Sequence, residues 1–156
     1  MRRQIYLDCD GVLADFDKAA EKILGLPPAI FEDRFGSGQF WKLLAGHGDF
    51  FGCLDPMPDA YVLYDAVKHC KPIILTGLPQ GTWAEPQKRR WARRYFPGVP
   101  VITTMAALKR EHCHPGDVLV DDRIHYRHLW EAEGGVFIRH TDAQSSIRAL
   151  KEAGYI

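Results

Sequence analysis

The sequence predicts an α/β fold in which a parallel sheet is flanked by helices. Two observations support this prediction. Strand-length apolar segments alternate with helical segments along most of the chain, as in a parallel sheet joined by right-handed crossovers. Acidic residues directly follow two of the apolar segments, and the carboxyl ends of the strands are where ligands bind in such sheets. The 156 residues suit one domain, with room for a small insert.

Each element is predicted from its pattern of apolar, turn and capping residues. Strands are expected at residues 5–7, 71–76, 99–103, 117–121 and 136–139. Helices are expected at residues 16–25, 59–69, 85–96, 124–133 and 142–153. Pro27-Pro28 is expected to end the first helix, because proline has no backbone N–H with which to continue it. Thr141 or Asp142 is positioned to cap the last helix.

Residues 29–57 show neither the apolar spacing of a long helix nor the alternation of a strand. Aromatic residues are interspersed with glycines throughout this stretch, and no alternation of apolar and polar residues predicts a strand. Short helices and loops are therefore expected here. Pro56-Met57-Pro58 marks the return to the regular α/β pattern.

The composition is that of an ordinary soluble protein, with 46% hydrophobic and 26% charged residues. Lys and Arg total 20 and so do Asp and Glu, which argues against a nucleic-acid polymer or a membrane as the partner. The first apolar run is too short for a signal peptide, and four cysteines without framework spacing indicate reduced thiols. A cytoplasmic location is expected, and a homodimer is left open.

The stretch from Ile5 to Phe16 carries the first chemical signal. A short apolar run stops at Asp8, Asp10 follows two residues later, and Gly11 supplies the sharp turn after them. If the chain loops between the two carboxylates, both can converge on one ion. The alternative is that Asp8 and Asp10 are only caps or turn formers, although turn chemistry requires only one of them.

Four motifs resemble those of the haloacid-dehalogenase (HAD) superfamily of phosphohydrolases. The first is the Asp-x-Asp-Gly-Val sequence from Asp8 to Val12, and the second is the strand from Ile74 to Pro79, which ends in a threonine. The segment from Asp117 to Arg123, a strand ending in paired acids, resembles the superfamily's fourth motif. Lys109 precedes that segment and is similar to the superfamily's lysine.

Within the superfamily, the sequence most resembles the 5'(3')-deoxyribonucleotidases and their bacterial relatives. The stretch from Asp8 to Phe16, the Phe40-Trp41 pair and the segment from Val120 to Arg123 carry this similarity. The resemblance implies a HAD-like Rossmannoid fold. In that fold, residues 1–16 and 58–156 would form the α/β catalytic core, and residues 17–57 a small helical cap inserted after the first strand.

The acids at the strand ends predict a metal site. Asp8, Asp10, Asp121 and Asp122 would lie at the carboxyl ends of neighbouring strands, where like charges raise one another's pKa values. A divalent cation removes this conflict, and oxygen-only ligands with room for water favour Mg²⁺. The resemblance implies that Asp10 contributes its backbone carbonyl to the metal.

The resemblance also implies a catalytic role for each residue near the metal. Asp8 is the expected nucleophile, since a carboxylate can accept a phosphoryl group and release it to water. Asp10 is expected to act first as general acid and then as general base. The Thr76 hydroxyl and neighbouring N–H groups, at Gly77 in particular, would bind the phosphate oxygens. Gly77 stands where the animal deoxyribonucleotidases have a serine.

A lysine ammonium is expected to neutralise charge on the transferring phosphoryl group. Lys109 lies twelve positions before Asp121 and fits the superfamily's spacing, so it is the first candidate. Lys88, on the helix expected at residues 85–96, is the second. The alternative for either lysine is a solvated surface position.

Three aromatic residues bear on substrate choice. Phe16, Phe40 and Trp41 match positions where the nucleotidases place rings around the nucleobase. A flat apolar slot suits a base, because every base has a π-face. The alternative is that these rings form the cap's own small core.

These features predict a Mg²⁺-dependent phosphomonoesterase that forms an aspartyl phosphate. The expected substrate is a nucleoside monophosphate, with a pyrimidine deoxynucleotide as first choice, and the alternative is another small phosphate ester. A receiver-like signalling module also gathers acids, a threonine and a lysine around a phosphorylated aspartate. Receivers, however, place the acid pair on the first strand, whereas here Asp121-Asp122 come last, and receivers need no aromatic cap.

Overall fold

A five-stranded parallel sheet lies at the centre of the computed structural model, which describes residues 3–156. The strands are β1 (Ile5–Leu7), β2 (Ile73–Gly77), β3 (Val101–Thr104), β4 (Val118–Asp121) and β5 (Val136–Arg139). Their order in the sheet is β3-β2-β1-β4-β5, and all neighbouring pairs are parallel. The predicted fold class is confirmed. The strand that precedes Asp8 is central in the sheet, so the carboxyl ends of two other strands flank that acid.

Helices cover the sheet and form the insert after β1. Within residues 3–156, the α-helices are α1 (Phe16–Leu24), α2 (Pro28–Ala45), α3 (Ala60–Val67), α4 (Ala84–Tyr95), α5 (Arg127–Ala132) and α6 (Ala143–Glu152). Short 3-10 helices occupy Phe51–Cys53, Lys68–Cys70 and Ala106–His112. Asp142 caps α6, because its side chain accepts a hydrogen bond from Ser145 N at 2.7 Å.

The prediction that Pro27-Pro28 ends the first helix is wrong. Helix α1 ends at Leu24, where Gly25 adopts the left-handed conformation (φ 77°) that commonly closes a helix. Pro28 instead begins α2, at a position where a missing backbone N–H costs nothing. The proline pair therefore marks a helix start.

Residues 29–57, predicted as short helices and loops, are mostly helical. Helix α2 extends over much of this stretch, interrupted at Gly36, whose φ of 86° and ψ of 160° produce a kink. Only a residue without a Cβ adopts this conformation readily. The aromatic residues that follow lie on the 3-10 helix Phe51–Cys53 and the turns around it.

The insert packs as part of the main core. Its buried aromatic residues belong to the same apolar cluster as the residues of β1 and α4. The two chain segments that join the insert to the core lie side by side, since Met57 N donates to Leu13 O at 2.7 Å and Asp15 N donates to Asp55 O at 2.8 Å. Both connections are therefore fixed next to the first motif.

The opposite face of the sheet has a smaller apolar cluster. Its buried residues are Tyr6, Leu75, Leu119, Trp130 and Phe137. Across residues 3–156 no helix combines the length and apolar character needed to cross a membrane. Within residues 3–156, all four cysteines are free thiols.

Candidate active site

Two acids lie side by side at the carboxyl edge of the sheet. Strand β1 pairs with β4 in a register that places Leu7 opposite Val120, and Asp8 N donates to Val120 O at 2.9 Å. Asp8 therefore follows β1 at the level where Asp121 ends β4. Alternate residues of a strand face the same side. Both acids therefore lie on the face of the sheet where Tyr6 and Leu119 pack with Trp130 of α5.

Lys109 bridges these two acids. Its Nζ lies 2.8 Å from Asp8 Oδ1 and 3.0 Å from Asp121 Oδ2, and the lysine side chain is buried. Burial alone would lower the pKa of Lys109, but the two carboxylates outweigh it and the pKa is raised. The ammonium is therefore charged at neutral pH, and the alternative of a solvated surface lysine is wrong.

Lys88 reaches the same site from α4. Its side chain is also buried, and its Nζ contacts Asp10 Oδ2 at 2.6 Å, Thr76 Oγ1 at 2.9 Å and Gly77 O at 3.0 Å. Here too the surface alternative is wrong. The two candidate lysines occupy different places, since Lys109 holds the nucleophile candidate and Lys88 holds the acid–base candidate.

Thr76 and Gly77 end the strand next to β1. Thr76 is buried, and Gly77 lines the cleft above the acids. A Cβ atom at Gly77 would lie 3.2 Å from the Cβ of Ala106, so a larger residue here would press on the 3-10 helix that carries Lys109. The close approach explains why a glycine suits this position.

Three carboxylates form a group that can hold a metal ion. Asp8, Asp121 and Asp122 each offer one oxygen, and these oxygens lie within 4.8 Å of one another. The Asp10 carboxylate is outside this group, and its Oδ2 instead contacts Lys88 Nζ at 2.6 Å. A metal contact through the backbone carbonyl of Asp10 stays a prediction.

The three carboxylates of this group outnumber the single ammonium, that of Lys109, which contacts two of them. Burial and the neighbouring carboxylates raise the pKa of Asp121 to about 6 and that of Asp122 to about 8. Burial also acts to raise the pKa of Asp8, but Lys109 outweighs it and the pKa is lowered. Among the described residues, the buried Asp122 Oδ1 has no hydrogen-bond partner. A group of carboxylate oxygens, one of which has no hydrogen-bond partner, has the ligand chemistry that Mg²⁺ prefers.

A cleft of about 610 Å³ opens above the acids. Its cap-side wall consists of residues from α1, α2 and the following 3-10 helix, namely Phe16, Asp17, Ser37, Gly38, Trp41 and Phe51. Its α5-side wall consists of residues from the other flank of the acids, namely Ala106, Arg110, Tyr126, Leu129, Trp130 and Phe137. The cleft therefore contacts aromatic side chains on both sides of Asp8.

The three predicted base-binding rings are not equivalent. Phe16 and Trp41 line the cleft, but Phe40 is only 2% exposed and does not. Phe40 instead packs between Phe31 and Phe16, with ring centroids 6.4 and 6.3 Å away. The placement of Phe40 around a bound base is therefore corrected to a place in the core of the cap, as the alternative interpretation held.

Some residues of the cleft were not predicted. Phe51 lies in the glycine-rich aromatic stretch. Its neighbour Phe50 is also buried but does not line the cleft, and the sequence around the two residues does not distinguish them. Arg123 also lines the cleft, and its position directly after the acid pair was an available signal. Tyr126 follows a loop and had no signal in the sequence.

Comparisons with known proteins support the fold. No protein-family profile and no curated protein matches the sequence. Among solved structures, the chain is similar to L-2-haloacid dehalogenase from Xanthobacter autotrophicus (TM-score 0.58, 14% identity, covering 100% of this chain and 85% of that one). It is also similar to a HAD-superfamily hydrolase from Ehrlichia chaffeensis (TM-score 0.58, 12% identity, covering 98% of each chain). A hydrolase from Streptococcus pneumoniae aligns over 97% of this chain and 100% of its own, with a TM-score of 0.59 and 12% identity. The chain therefore has the HAD-like fold.

Proposed function

We propose that this protein is a Mg²⁺-dependent phosphomonoesterase that forms an aspartyl phosphate on Asp8. The observation that carries the proposal is the geometry around this one carboxylate. Lys109 binds Asp8 Oδ1 at 2.8 Å and lowers the pKa of Asp8, which keeps the carboxylate ionised. The orphaned oxygen of Asp122 lies in the same acid group. Nucleophile and metal ligands would thus be adjacent.

In the first step, the Asp8 oxygen that Lys109 does not bind attacks the phosphorus atom of the ester. A bond forms between this oxygen and phosphorus, the bond from phosphorus to the ester oxygen breaks, and the leaving alcohol takes a proton from Asp10. In the second step, Asp10 removes a proton from water, and the water oxygen attacks phosphorus. The bond to Asp8 breaks and inorganic phosphate leaves.

The remaining groups bind the phosphate and balance its charge. Asp8, Asp121 and Asp122 would hold Mg²⁺, which when bound supplies positive charge beside the phosphate and the nucleophile. Lys109 has one N–H left after its bonds to the two acids, and that N–H can meet a phosphate oxygen. The Thr76 hydroxyl can donate to a second oxygen.

The preferred substrate is a nucleoside monophosphate, and the function is that of a 5'-nucleotidase. The cap-side wall supports this choice, because the half-buried Trp41 lines the cleft that also holds Asp8, and the buried rings of Phe16 and Phe51 line it beside Trp41. Stacking of a base on such rings is worth about 1–3 kcal/mol. The phosphate would then lie at Asp8, with the base toward the cap.

A second candidate is a phosphatase for another small ester with an apolar leaving group. The α5-side wall favours it, since Leu129, Trp130 and Phe137 are apolar and Tyr126 adds an exposed ring at 37% exposure. The two candidates are separated by paired variants. Trp41→Ala should impair nucleotides selectively, whereas Tyr126→Ala should impair aryl phosphates selectively.

The test is phosphate release from a panel of nucleotides, sugar phosphates and aryl phosphates, with Mg²⁺ or with EDTA. We expect Mg²⁺-dependent turnover of at least one ester, fastest on nucleotides. In Asp8→Asn, turnover should fall to background while the fold is kept. Asp65→Asn, at an exposed acid of α3 outside the cleft and the metal group, is the control and should stay active.

Three results would contradict the proposal. Asp8→Asn retaining a tenth or more of wild-type turnover would exclude the covalent route. Release of halide from 2-haloacids, without phosphate release from any ester, would indicate a dehalogenase. A long-lived phosphoprotein without turnover would indicate a receiver-like module.

A further inference from the structure

Lys88 uses every hydrogen-bond donor it has on groups of the protein itself. A lysine ammonium carries three N–H donors. In this site they meet Asp10 Oδ2, Thr76 Oγ1 and Gly77 O at 2.6, 2.9 and 3.0 Å. The side chain is only 3% exposed, so water does not compete for these contacts. A phosphate oxygen could bind Lys88 only by displacing one of them.

Lys109 differs from Lys88 in this respect. Two of its donors are engaged with Asp8 and Asp121, and the third remains for a ligand. Both lysines line the cleft, so position alone does not assign their roles. The number of free N–H donors separates them, because only Lys109 can donate to a phosphate oxygen without losing an existing hydrogen bond.

The contacts of Lys88 fix the orientation of two groups that the proposed reaction uses. Its hydrogen bond holds Asp10 Oδ2 at one place, which limits rotation of that carboxylate. Thr76 Oγ1 accepts from Lys88, so the hydroxyl proton of Thr76 is directed away from Lys88. Preorganised donors and acceptors of this kind contribute to catalysis when they match the transition state.

The same helix connects these groups to the cap-side wall. The Lys88 Nζ lies 4.5 Å from the centroid of the Phe51 ring, a cation–π distance. The preceding residue, Gln87, accepts from Phe51 N at 2.9 Å and donates to Gly48 O at 3.2 Å. Two successive residues of α4 thus hold one segment of the cap beside the acid–base candidate.

We propose that Lys88 is a positioning residue that orients Asp10 and Thr76 for the reaction and links both to Phe51 of the cap, rather than a ligand of the phosphate. This inference rests on the proposed function, because the orientation of Asp10 affects turnover only in an enzyme that uses Asp10 for proton transfer.

The first test separates positioning from phosphate binding by kinetics. Lys88→Met keeps the length of the side chain but removes its donors. We expect kcat to fall at least about tenfold, as for loss of a buried bond to a charged group. The KM for the ester and the inhibition constant of inorganic phosphate should rise by much less than kcat falls, because Lys88 acts on the bound phosphate only indirectly, through Thr76. Arg93→Met, at an exposed position on the same helix, is the control and should change neither.

The opposite pattern overturns the inference. If Lys88→Met raises KM and the phosphate inhibition constant tenfold with kcat unchanged, Lys88 binds phosphate. If the wild-type enzyme releases phosphate and Lys88→Met changes no constant, Lys88 does not position catalytic groups. Absence of phosphate release by the wild type on any ester contradicts the proposed function instead.

A second measurement does not depend on turnover or on folding of the methionine variant. Buried, hydrogen-bonded ammonium groups exchange slowly, so ¹H–¹⁵N spectra of the wild type should show side-chain signals for Lys88 and Lys109. Lys88→Arg, which keeps the charge, assigns them by loss of one signal. On addition of inorganic phosphate with Mg²⁺, the Lys109 signal should shift and the Lys88 signal should not. A shift of the Lys88 signal as large as that of Lys109, or its absence from the wild-type spectrum, would overturn the inference.

Discussion

The Asp122 carboxylate packs against the backbone of Gly11, in the space that a Cβ atom at residue 11 would fill. Gly11 also has a φ of 83°, a conformation that side chains other than hydrogen disfavour. The turn after the first strand and the last acid of the metal group are therefore in direct contact. A glycine is required there both for its backbone conformation and for the room it leaves.

This contact predicts the effect of Gly11→Ala. A methyl group at residue 11 should displace the Asp122 carboxylate, so the Mg²⁺ concentration for half-maximal activity should rise at least about tenfold. The backbone strain alone costs about 1–2 kcal/mol. Gly25→Ala is the matched control, because Gly25 has a similar φ of 77° with no atom within 4 Å of an added Cβ. Equal Mg²⁺ requirements in the two variants would show that strain, not displacement, is responsible.

A second prediction locates the metal by comparing two acids. Asp122→Ala should raise the Mg²⁺ requirement far more than Asp15→Ala does. Asp15 caps α1, where its side chain accepts from Lys18 N at 3.4 Å, so its loss should cost about 0.5–2 kcal/mol of stability and leave Mg²⁺ affinity unchanged. Mg²⁺ titrations of activity and of thermal stability measure both effects. Similar shifts from Asp122 and Asp15 would mean that the metal group is misassigned.

A third prediction concerns pH in the absence of metal. The pKa values of Asp121 and Asp122 are raised to about 6 and about 8, so between pH 5 and 8 these two carboxyl groups bind more protons in the folded state than in the unfolded state. Burial lowers the pKa of His140, which acts in the opposite sense for that one group. Stability from these groups is present at low pH and is lost as pH rises through the folded-state pKa values, with a slope of up to about 1.4 kcal/mol per pH unit for each group. The lowered pKa of Asp8 acts in the opposite sense, but only below about pH 4.

Urea unfolding at pH 5.5 and pH 8 in EDTA should therefore show the metal-free protein to be less stable at pH 8. Mg²⁺ should reduce this difference, because it binds the ionised carboxylates and stabilises the folded state most where they are ionised. Asp122→Asn should flatten the pH dependence in EDTA. If the stability of the wild type in EDTA depends on pH no more steeply than that of Asp122→Asn, the raised pKa of Asp122 is contradicted.

A fourth prediction uses two adjacent rings with different surroundings. Trp41 lines the cleft and Phe40 lies in the core of the cap. Trp41→Ala should lower kcat/KM for a nucleotide by about tenfold or more, from a stacking loss of about 1–3 kcal/mol, and should affect p-nitrophenyl phosphate much less. Phe40→Ala should cost about 3–5 kcal/mol of stability through the cavity it leaves, and should affect both substrates alike.

Parallel losses on the two substrates in Trp41→Ala, with a lower melting temperature, would show that Trp41 only supports the cap. Base stacking would then be excluded, whereas the phosphatase proposal would stand. The two variants together therefore test substrate choice separately from the chemistry at Asp8.

The sequence by itself determined the order and type of the main elements and the acids at the strand ends. These features depend on local chemistry, since apolar runs, glycine turns and helix caps act within a few residues. Parallel strands also have their carboxyl ends at one edge, so Asp8 and Asp121 could be placed together once both strands were recognised. The prediction that Pro27-Pro28 ends the first helix was wrong because proline is common at a helix start as well as after a helix end.

The tertiary structure alone decided the placements that depend on which way a side chain faces. Lys88 and Asp10 are 78 residues apart, and nothing near either one predicts the 2.6 Å contact between them. Helical periodicity gives the spacing of an apolar face but not the neighbour that this face contacts. The sequence therefore left Lys88 open between a phosphate-binding lysine and a solvated surface lysine. Phe40 and Trp41 are adjacent in the chain, yet they face the core and the cleft respectively, because the packing of α2 against α1 sets the rotation of the helix.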